Sequence, residues 1–205
     1  MSWTALEHVL LHQMNIFFTS DTHFHHRNIL EYCPGRKKEW NTVEEMNEGL
    51  ILSWNSEVGP NDIVYHLGDF TLTTRVELID PILARLNGKI RLVKGNHDKW
   101  LRKLDVLQHK DKFEWVKQYH KENFTVDGKT YEFVMMHYPF LSWDGSARGS
   151  INVHGHAHGS NDHLNRGTKR LDVGVDGEHS YLSPISLRDV IEITSIGAIV
   201  DHHDL

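Results

Sequence analysis

The chain has 205 residues, 39% hydrophobic and 24% charged, a composition that suits a soluble protein with one well-buried core and leaves no room for a second. A net charge of -6 without any Lys/Arg run excludes a broad basic face for gripping long nucleic acid, and no apolar run is long enough for a membrane helix. One cysteine, Cys33, excludes an internal disulfide, and residues 1–13 lack the basic start and apolar stretch of a secretory signal, so a single domain in a reducing cytoplasm is expected.

Trp3, Leu6, Val9 and Leu10 have helical spacing and form a packing face, in an extension (residues 1–13) ahead of the main fold. Asn15 to Ser20 is a run of β-formers, the first strand. A helix follows from Asn41, its N-cap, with Glu44 three places on. Val43, Met46, Leu50, Ile51, Trp54 and Val58 share one face, and Gly59-Pro60 stops it. Asp62 to Asp69 is a second strand. Arg75 to Leu86 reads as helix, with Pro81 either kinking it or marking its first turn, and Lys89 to Gly95 is a third strand. Strand, helix, strand, helix, strand points to an α/β unit with a largely parallel sheet.

The second half differs. Glu122 to His137 is a hairpin turning at Asp127-Gly128, and short strands are expected at Ile151 to His154, Leu171 to Val175 and Ile191 to Ile193. Two packed sheets with helices outside follow from that contrast. The tail Asp201 to Leu205 reads as exposed.

Histidine is the outlier of the composition, with 17 residues against 22 Lys plus Arg. Several stand where strands end: Ser20-Asp21-Thr22-His23, Gly68-Asp69, Gly95-Asn96-His97-Asp98, His137, and Gly155-His156-Ala157-His158. Ligands of open α/β sheets bind beyond the carboxyl ends of the strands, so these segments are expected to converge. Imidazole, carboxylate and one amide oxygen without thiolate suit divalent transition metals. Alternate residues of an extended segment face the same way, which would aim Asp21 with His23 and His156 with His158 into one pocket. Gly68, Gly95 and Gly155 would permit sharp turns and close approach. Seven ligands are too many for one tetrahedral ion and suit two ions sharing a carboxylate. Asp98 reads as the N-cap of a helix from Lys99, and His154, His163 and His179 are placed by no motif.

DxH, GD, GNHD, an isolated His and GHxH, in that order from Asp21 to His158, resemble the calcineurin-like metallophosphoesterase superfamily, close to its small bacterial and phage-type members. The resemblance implies a four-layer αββα sandwich of two mixed β-sheets flanked by helices. It implies one metal on Asp21, His23, Asp69 and His158, and a second on Asp69, Asn96, His137 and His156, with Asp69 bridging. The cofactors would be two divalent ions, Mn²⁺ first, with Fe, Zn, Ni or Co as alternatives. Such a pair readies a bridging water near neutral pH, and two charges of +2 against two carboxylates leave a pocket that attracts phosphate. His97 would be the general acid. His26, Arg27 and Asn28 (with His25) either line the pocket or only open a helix, and Arg148 either holds a phosphate oxygen or is solvated.

The expected activity is hydrolysis of phosphomonoesters or small phosphodiesters, with a small phosphoester as partner and neither nucleic acid in bulk nor membrane. Gly68-Asp69-Phe70-Thr71-Leu72-Thr73 departs from the GDxxDRG of protein phosphatases. The alternatives are a non-catalytic scaffold of the same fold, and a nuclease or cyclic-nucleotide phosphodiesterase.

Overall fold

A computed structural model describes residues 14–199; the expectations for residues 1–13 and for the tail lie outside them. Five strands form the first sheet in the order β4-β3-β2-β1-β9. Strands β1 (Ile16–Thr19), β2 (Ile63–His66), β3 (Lys89–Val93) and β4 (Phe113–Lys117) run parallel, and β9 (Ile185–Ser186) is antiparallel to β1. The second sheet has the order β5-β6-β7-β8. Its hairpin β5 (Tyr119–Val126) and β6 (Lys129–Met136) is followed in parallel by β7 (Ile151–His154) and β8 (Arg170–Asp172). Asp127 and Gly128 both take positive φ, as a two-residue hairpin turn requires.

Side-chain alternation assigns the two faces of each sheet. Phe18, Tyr65 and Val93 of the first sheet meet Phe133, Met135, Ile151 and Val153 of the second in the inter-sheet core, where the Phe18 ring stacks on Phe133 at 5.3 Å between centroids. Phe17, Val64, Ile90 and Leu92 face the other way, onto α3 (Val43–Glu57) and α4 (Val76–Arg85). All six apolar residues expected on the buried face of α3 are buried.

Outside the second sheet the helical layer is thin. His154 and Arg170, which alternate with the core residues Val153 and Leu171, meet the short α5 (Asp162–Asn165), and Arg170 also donates to the Phe140 carbonyl. The arrangement is the expected two mixed sheets flanked by helices.

Local differences have physical reasons. The cap of α3 is Thr42, not Asn41: Thr42 Oγ1 accepts from Glu45 N while Glu45 Oε2 accepts from Thr42 N and Asn41 N, a reciprocal box one residue further on. Pro81 lies inside α4 rather than in its first turn. Ile191 to Ile193 belongs to helix α6 (Leu187–Ser195), not to a strand. Ser186 caps it by accepting from Asp189 N, and Val190 and Thr194, four apart, form its buried side. The expected strand from Leu171 to Val175 stops at Asp172. Beyond it the chain crosses to the first sheet, where Val175 N donates to the Ser20 carbonyl. Strand β4 was not anticipated, although Phe113 and Trp115 alternate with charged neighbours as a half-buried edge strand does. Among the described residues no helix is long and apolar enough to cross a membrane.

Candidate metal centre

Backbone hydrogen bonds continue past the strand ends and bring the loops together. Asp21 N donates to Gly68 O at 2.9 Å, and His23 N to Asp69 O at 3.0 Å, so the loop after β1 runs along the loop after β2. His156 N donates to Asp21 Oδ2 at 2.8 Å and Gly155 N to His137 O at 3.0 Å, which ties in the second sheet. A Cβ at Gly95 would overlap Asp69 Oδ1 and stand 2.5 Å from Asp69 N; that position is glycine because the two loops touch.

Asp21, His23, Asp69, His156 and His158 all have φ between 49° and 68°, the left-handed region. Extended backbone therefore does not aim the two DxH- and HxH-type pairs, contrary to the expectation from alternation. Asp and His tolerate this region better than most residues, and such strain of about 1–3 kcal/mol per residue concentrates at functional sites.

Two sets of donors result. Asp21, His23 and His158 converge, as do Asp69, His137 and His156, each with ligand atoms within 4.8 Å of one another. Asp69 joins the sets: its Oδ2 lies 3.6 Å from His23 Nε2 and 3.5 Å from His137 Nε2. Asn96 Oδ1 is 3.1 Å from His137 Nε2. His137 Nδ1 lies 2.7 Å from the Leu67 carbonyl and donates to it, which fixes the ring so that Nε2 faces Asp69 and Asn96.

These residues fit a pair of cations. Asp21 Oδ1 and His23 Nε2 are buried without any hydrogen-bond partner among the described residues, an expensive arrangement for groups that can each ligate a metal. Burial pushes the Asp21 carboxyl up to about 7, with the histidines His158 and His137 only partly opposing it. The His23 imidazole is driven down to about 2 by burial, so it stays a neutral donor. Burial opposes the charge on Asp69 too, but His137 and the His97 amide hold it at about 2, an ionised carboxylate between the two sets.

Two residues not singled out in the sequence complete the His158 side. Asp176 accepts from His158 Nδ1 at 2.7 Å, which turns His158 Nε2 toward Asp21 Oδ1, 3.9 Å away. The fully buried Arg36, in α2 (Pro34–Glu39), grips both oxygens of Asp176 and donates to the carbonyls of Asp21 and Thr22. Burial works against a proton on His158, yet Asp176, Cys33 and Asp21 raise it to about 10, so a metal bound there would displace a proton. An acidic residue just past the strand expected at Leu171 to Val175 was the available signal for Asp176. Nothing in the sequence marked Arg36.

Asp98 does not cap the following 3-10 segment. Its Oδ2 accepts from Asp69 N at 2.9 Å and Gly95 N at 2.8 Å, its Oδ1 from Phe70 N at 2.9 Å and Trp100 Nε1 at 2.8 Å. It clamps the loop of the shared carboxylate to the loop of Asn96 and His97.

A cavity of about 1290 Å³ opens on His23, His97 and His158, and His26 lines it as well. His97 and His23 have ring centroids 5.5 Å apart. Arg27 and Asn28 are exposed, open α1 (Ile29–Tyr32) and do not line this cavity; His25 turns away to Asn47 and the Leu78 carbonyl. Arg148 lies at a separate cavity with Lys129 and Lys169, mostly exposed and beside Asp144, so it does not reach this site. His154 faces α5, away from the centre.

Comparison with known proteins agrees with the geometry. The calcineurin-like phosphoesterase family matches residues 14–195. An uncharacterized protein of Methanocaldococcus jannaschii is 33% identical over 190 residues, 90% of this chain and 94% of its own. The gene 66 protein of Mycobacterium phage L5 is 26% identical, covering 86% of this chain and 94% of its own. A protein of unknown function from Aquifex aeolicus, solved by crystallography, has the same fold, with TM-score 0.64 at 23% identity over 88% of this chain and 99% of that one. With Asp and His side chains from both sheets gathered at one rim and a family match across nearly the whole described chain, this protein belongs to the calcineurin-like phosphoesterases, metal-dependent hydrolases of phosphoric esters.

Proposed function

We propose that the protein hydrolyses phosphomonoesters or small phosphodiesters, with Asp21, His23, Asp69 and His158 holding one divalent ion and Asp69, Asn96, His137 and His156 the other. The observation that carries this reading is the position of Asp69 Oδ2, within 3.6 Å of a histidine nitrogen of each set. When bound, such ions supply Lewis-acid polarisation of the phosphoryl group and hydroxide near neutral pH. Mn²⁺ is the proposed metal, because nitrogen and oxygen donors without sulfur accept it and the family resemblance favours it.

The chain's own residues do the rest. Asp21 and Asp69 are the only carboxylates among the seven proposed ligands and Asn96 contributes a neutral oxygen, so two bound divalent ions would leave the site net positive and attractive to phosphate. His97 borders both the donor set and the open cavity, and we assign it the protonation of the departing ester oxygen. Its backbone N–H donates to Asp69 Oδ1 at 2.7 Å, which fixes the segment carrying it relative to the shared carboxylate. The partner is a small phosphoester rather than long nucleic acid, in keeping with the net charge of -6, and the location proposed is the cytoplasm.

The test is turnover of a chromogenic phosphodiester and the matching monoester with Mn²⁺, Fe²⁺, Zn²⁺, Ni²⁺ or Co²⁺ added, together with metal content by elemental analysis. Metal-dependent release of the alcohol with two ions per chain is the expected result. Two bound ions and no turnover of either ester would leave a non-catalytic scaffold.

A further inference from the structure

Exposed apolar side chains are scattered over most of this surface, but four of them share one place. Tyr32 (67% exposed), Leu52 (68%), Leu72 (38%) and Tyr181 (85%) all line the cavity whose inner end is His23, His97 and His158. The half-buried Trp40 adds a third aromatic ring, seated so closely on α3 that a Cβ at Gly49 would overlap it. About 1290 Å³ is more than the ~300–1,000 Å³ of ordinary small-molecule sites, so a phosphate at the inner end leaves most of the cavity for whatever is attached to it.

Tyr181 is held there at a cost. It and Leu182 are consecutive non-glycine residues with φ of 47° and 64°, in a turn fixed by Leu182 N to Val175 O and Ser183 N to Ser180 O. The turn seats Leu182 against the helix-side core, but no packing accounts for the Tyr181 ring, which it leaves in solvent at the cavity. That exposure is explained if the ring meets a ligand.

Resting on the phosphoesterase reading above, we infer that this cavity is a subsite for a flat aromatic group on the substrate's leaving alcohol, of the size and character of a nucleoside. His97 borders the cavity, so the oxygen that takes up a proton would be the one that carries that group. The reaction balances as a hydrolysis: the P–O bond to the nucleoside breaks, water gives its oxygen to phosphorus, and a proton goes to the departing alcohol. Stacking on exposed rings tolerates any base, because every base has a π-face.

Two esters with leaving alcohols of similar basicity isolate the subsite from the chemistry: adenosine 5′-monophosphate and ethyl phosphate, assayed for phosphate release with Mn²⁺. The nucleoside ester is expected to have a kcat/KM about 100-fold higher, and Tyr181→Ala, Tyr32→Ala and Leu52→Ala each to shrink that ratio, by about tenfold for either tyrosine. Leu52 lies on the exposed face of α3, so its variant keeps the test alive if the Tyr181 turn fails to fold. Tyr119→Ala, an exposed ring outside the cavity, leaves the ratio as in the wild type.

Calorimetry gives a reading independent of turnover: adenosine 5′-monophosphate binds at least tenfold more tightly than inorganic phosphate, and Tyr181→Ala removes the difference. Equal kcat/KM for the two esters, or no tighter binding of the nucleotide, overturns the subsite. No turnover of any ester alongside tight nucleotide binding overturns the hydrolase reading and upholds the subsite.

Discussion

Replacing Asp98 by Asn tests whether a buried clamp, rather than the ligands alone, assembles the centre. The wild-type carboxylate accepts four hydrogen bonds, two on each oxygen, from Asp69 N, Gly95 N, Phe70 N and Trp100 Nε1. An amide keeps one accepting oxygen and turns N–H groups toward two of these donors. Two hydrogen bonds to a charged acceptor are lost, at roughly 1.5–3 kcal/mol each. Part is returned, because burial raises the Asp98 pKa and the variant no longer buries a charge. The net loss should be about 2–4 kcal/mol, or a fall in Tm of roughly 10 °C for a chain of this size. Urea denaturation of chelator-treated protein, with the slope m unchanged, measures it. Loosening of the Asp69 and Asn96 loops should also weaken Mn²⁺ binding by about 10- to 100-fold. A stability change under about 1 kcal/mol with unchanged metal affinity would refute the reasoning.

Further outcomes follow from other contacts. His97→Ala should retain both ions by elemental analysis while turnover of esters with poor leaving groups drops by about 10²- to 10⁴-fold; metal loss would count against the proton-donor role. Asp176→Asn should lower affinity for the ion on His158 by about 10- to 100-fold, seen by calorimetric Mn²⁺ titration, because the bond that orients His158 loses its charge and Arg36 competes for the one accepting oxygen that remains. In Gly95→Ala the new methyl collides with the Asp69 backbone, so metal content and turnover should both collapse; a variant with normal content of both ions refutes the close-approach argument. Burial lowers the His66 pKa to about 3 from an unfolded value near 6.5, so the unfolded chain binds the extra proton and stability is lost as pH falls below 6.5. Between pH 6.5 and 5.0 that contributes about 1.5 kcal/mol, and His66→Gln should lose less stability than wild type over this interval in urea titrations of metal-free protein.

The order of the elements and the gathering of Asp and His side chains at one rim were legible in the sequence because both rest on local signals. Val43, Met46, Leu50 and Trp54 recur at helical spacing, and Asp21, Asp69, Asn96, His137, His156 and His158 stand in motifs next to strand ends. What the sequence hid depends on contacts between distant segments. Arg36 and Asp176 are 140 residues apart, and either alone reads as a surface charge. Asp98 has a capping residue's position, yet two of its four donors, Asp69 N and Phe70 N, lie 29 and 28 residues away in the chain. Ile191 to Ile193 has β-branched residues that suit a strand; the cap at Ser186 and the burial of Val190 and Thr194 outweigh that propensity. Extended geometry was a fair assumption for Asp21-x-His23, and it fails because the chain leaves the sheet at Ser20 and reverses its handedness at once.

That reversal has a bearing on protein engineering. Five of the seven proposed ligands rely on peptide torsions that regular helices and strands never supply. Grafting the same side chains onto an idealised scaffold would reproduce the inventory and lose the aim. Anyone transplanting this centre must carry over the loops themselves, together with the buried carboxylate and guanidinium that keep them bent.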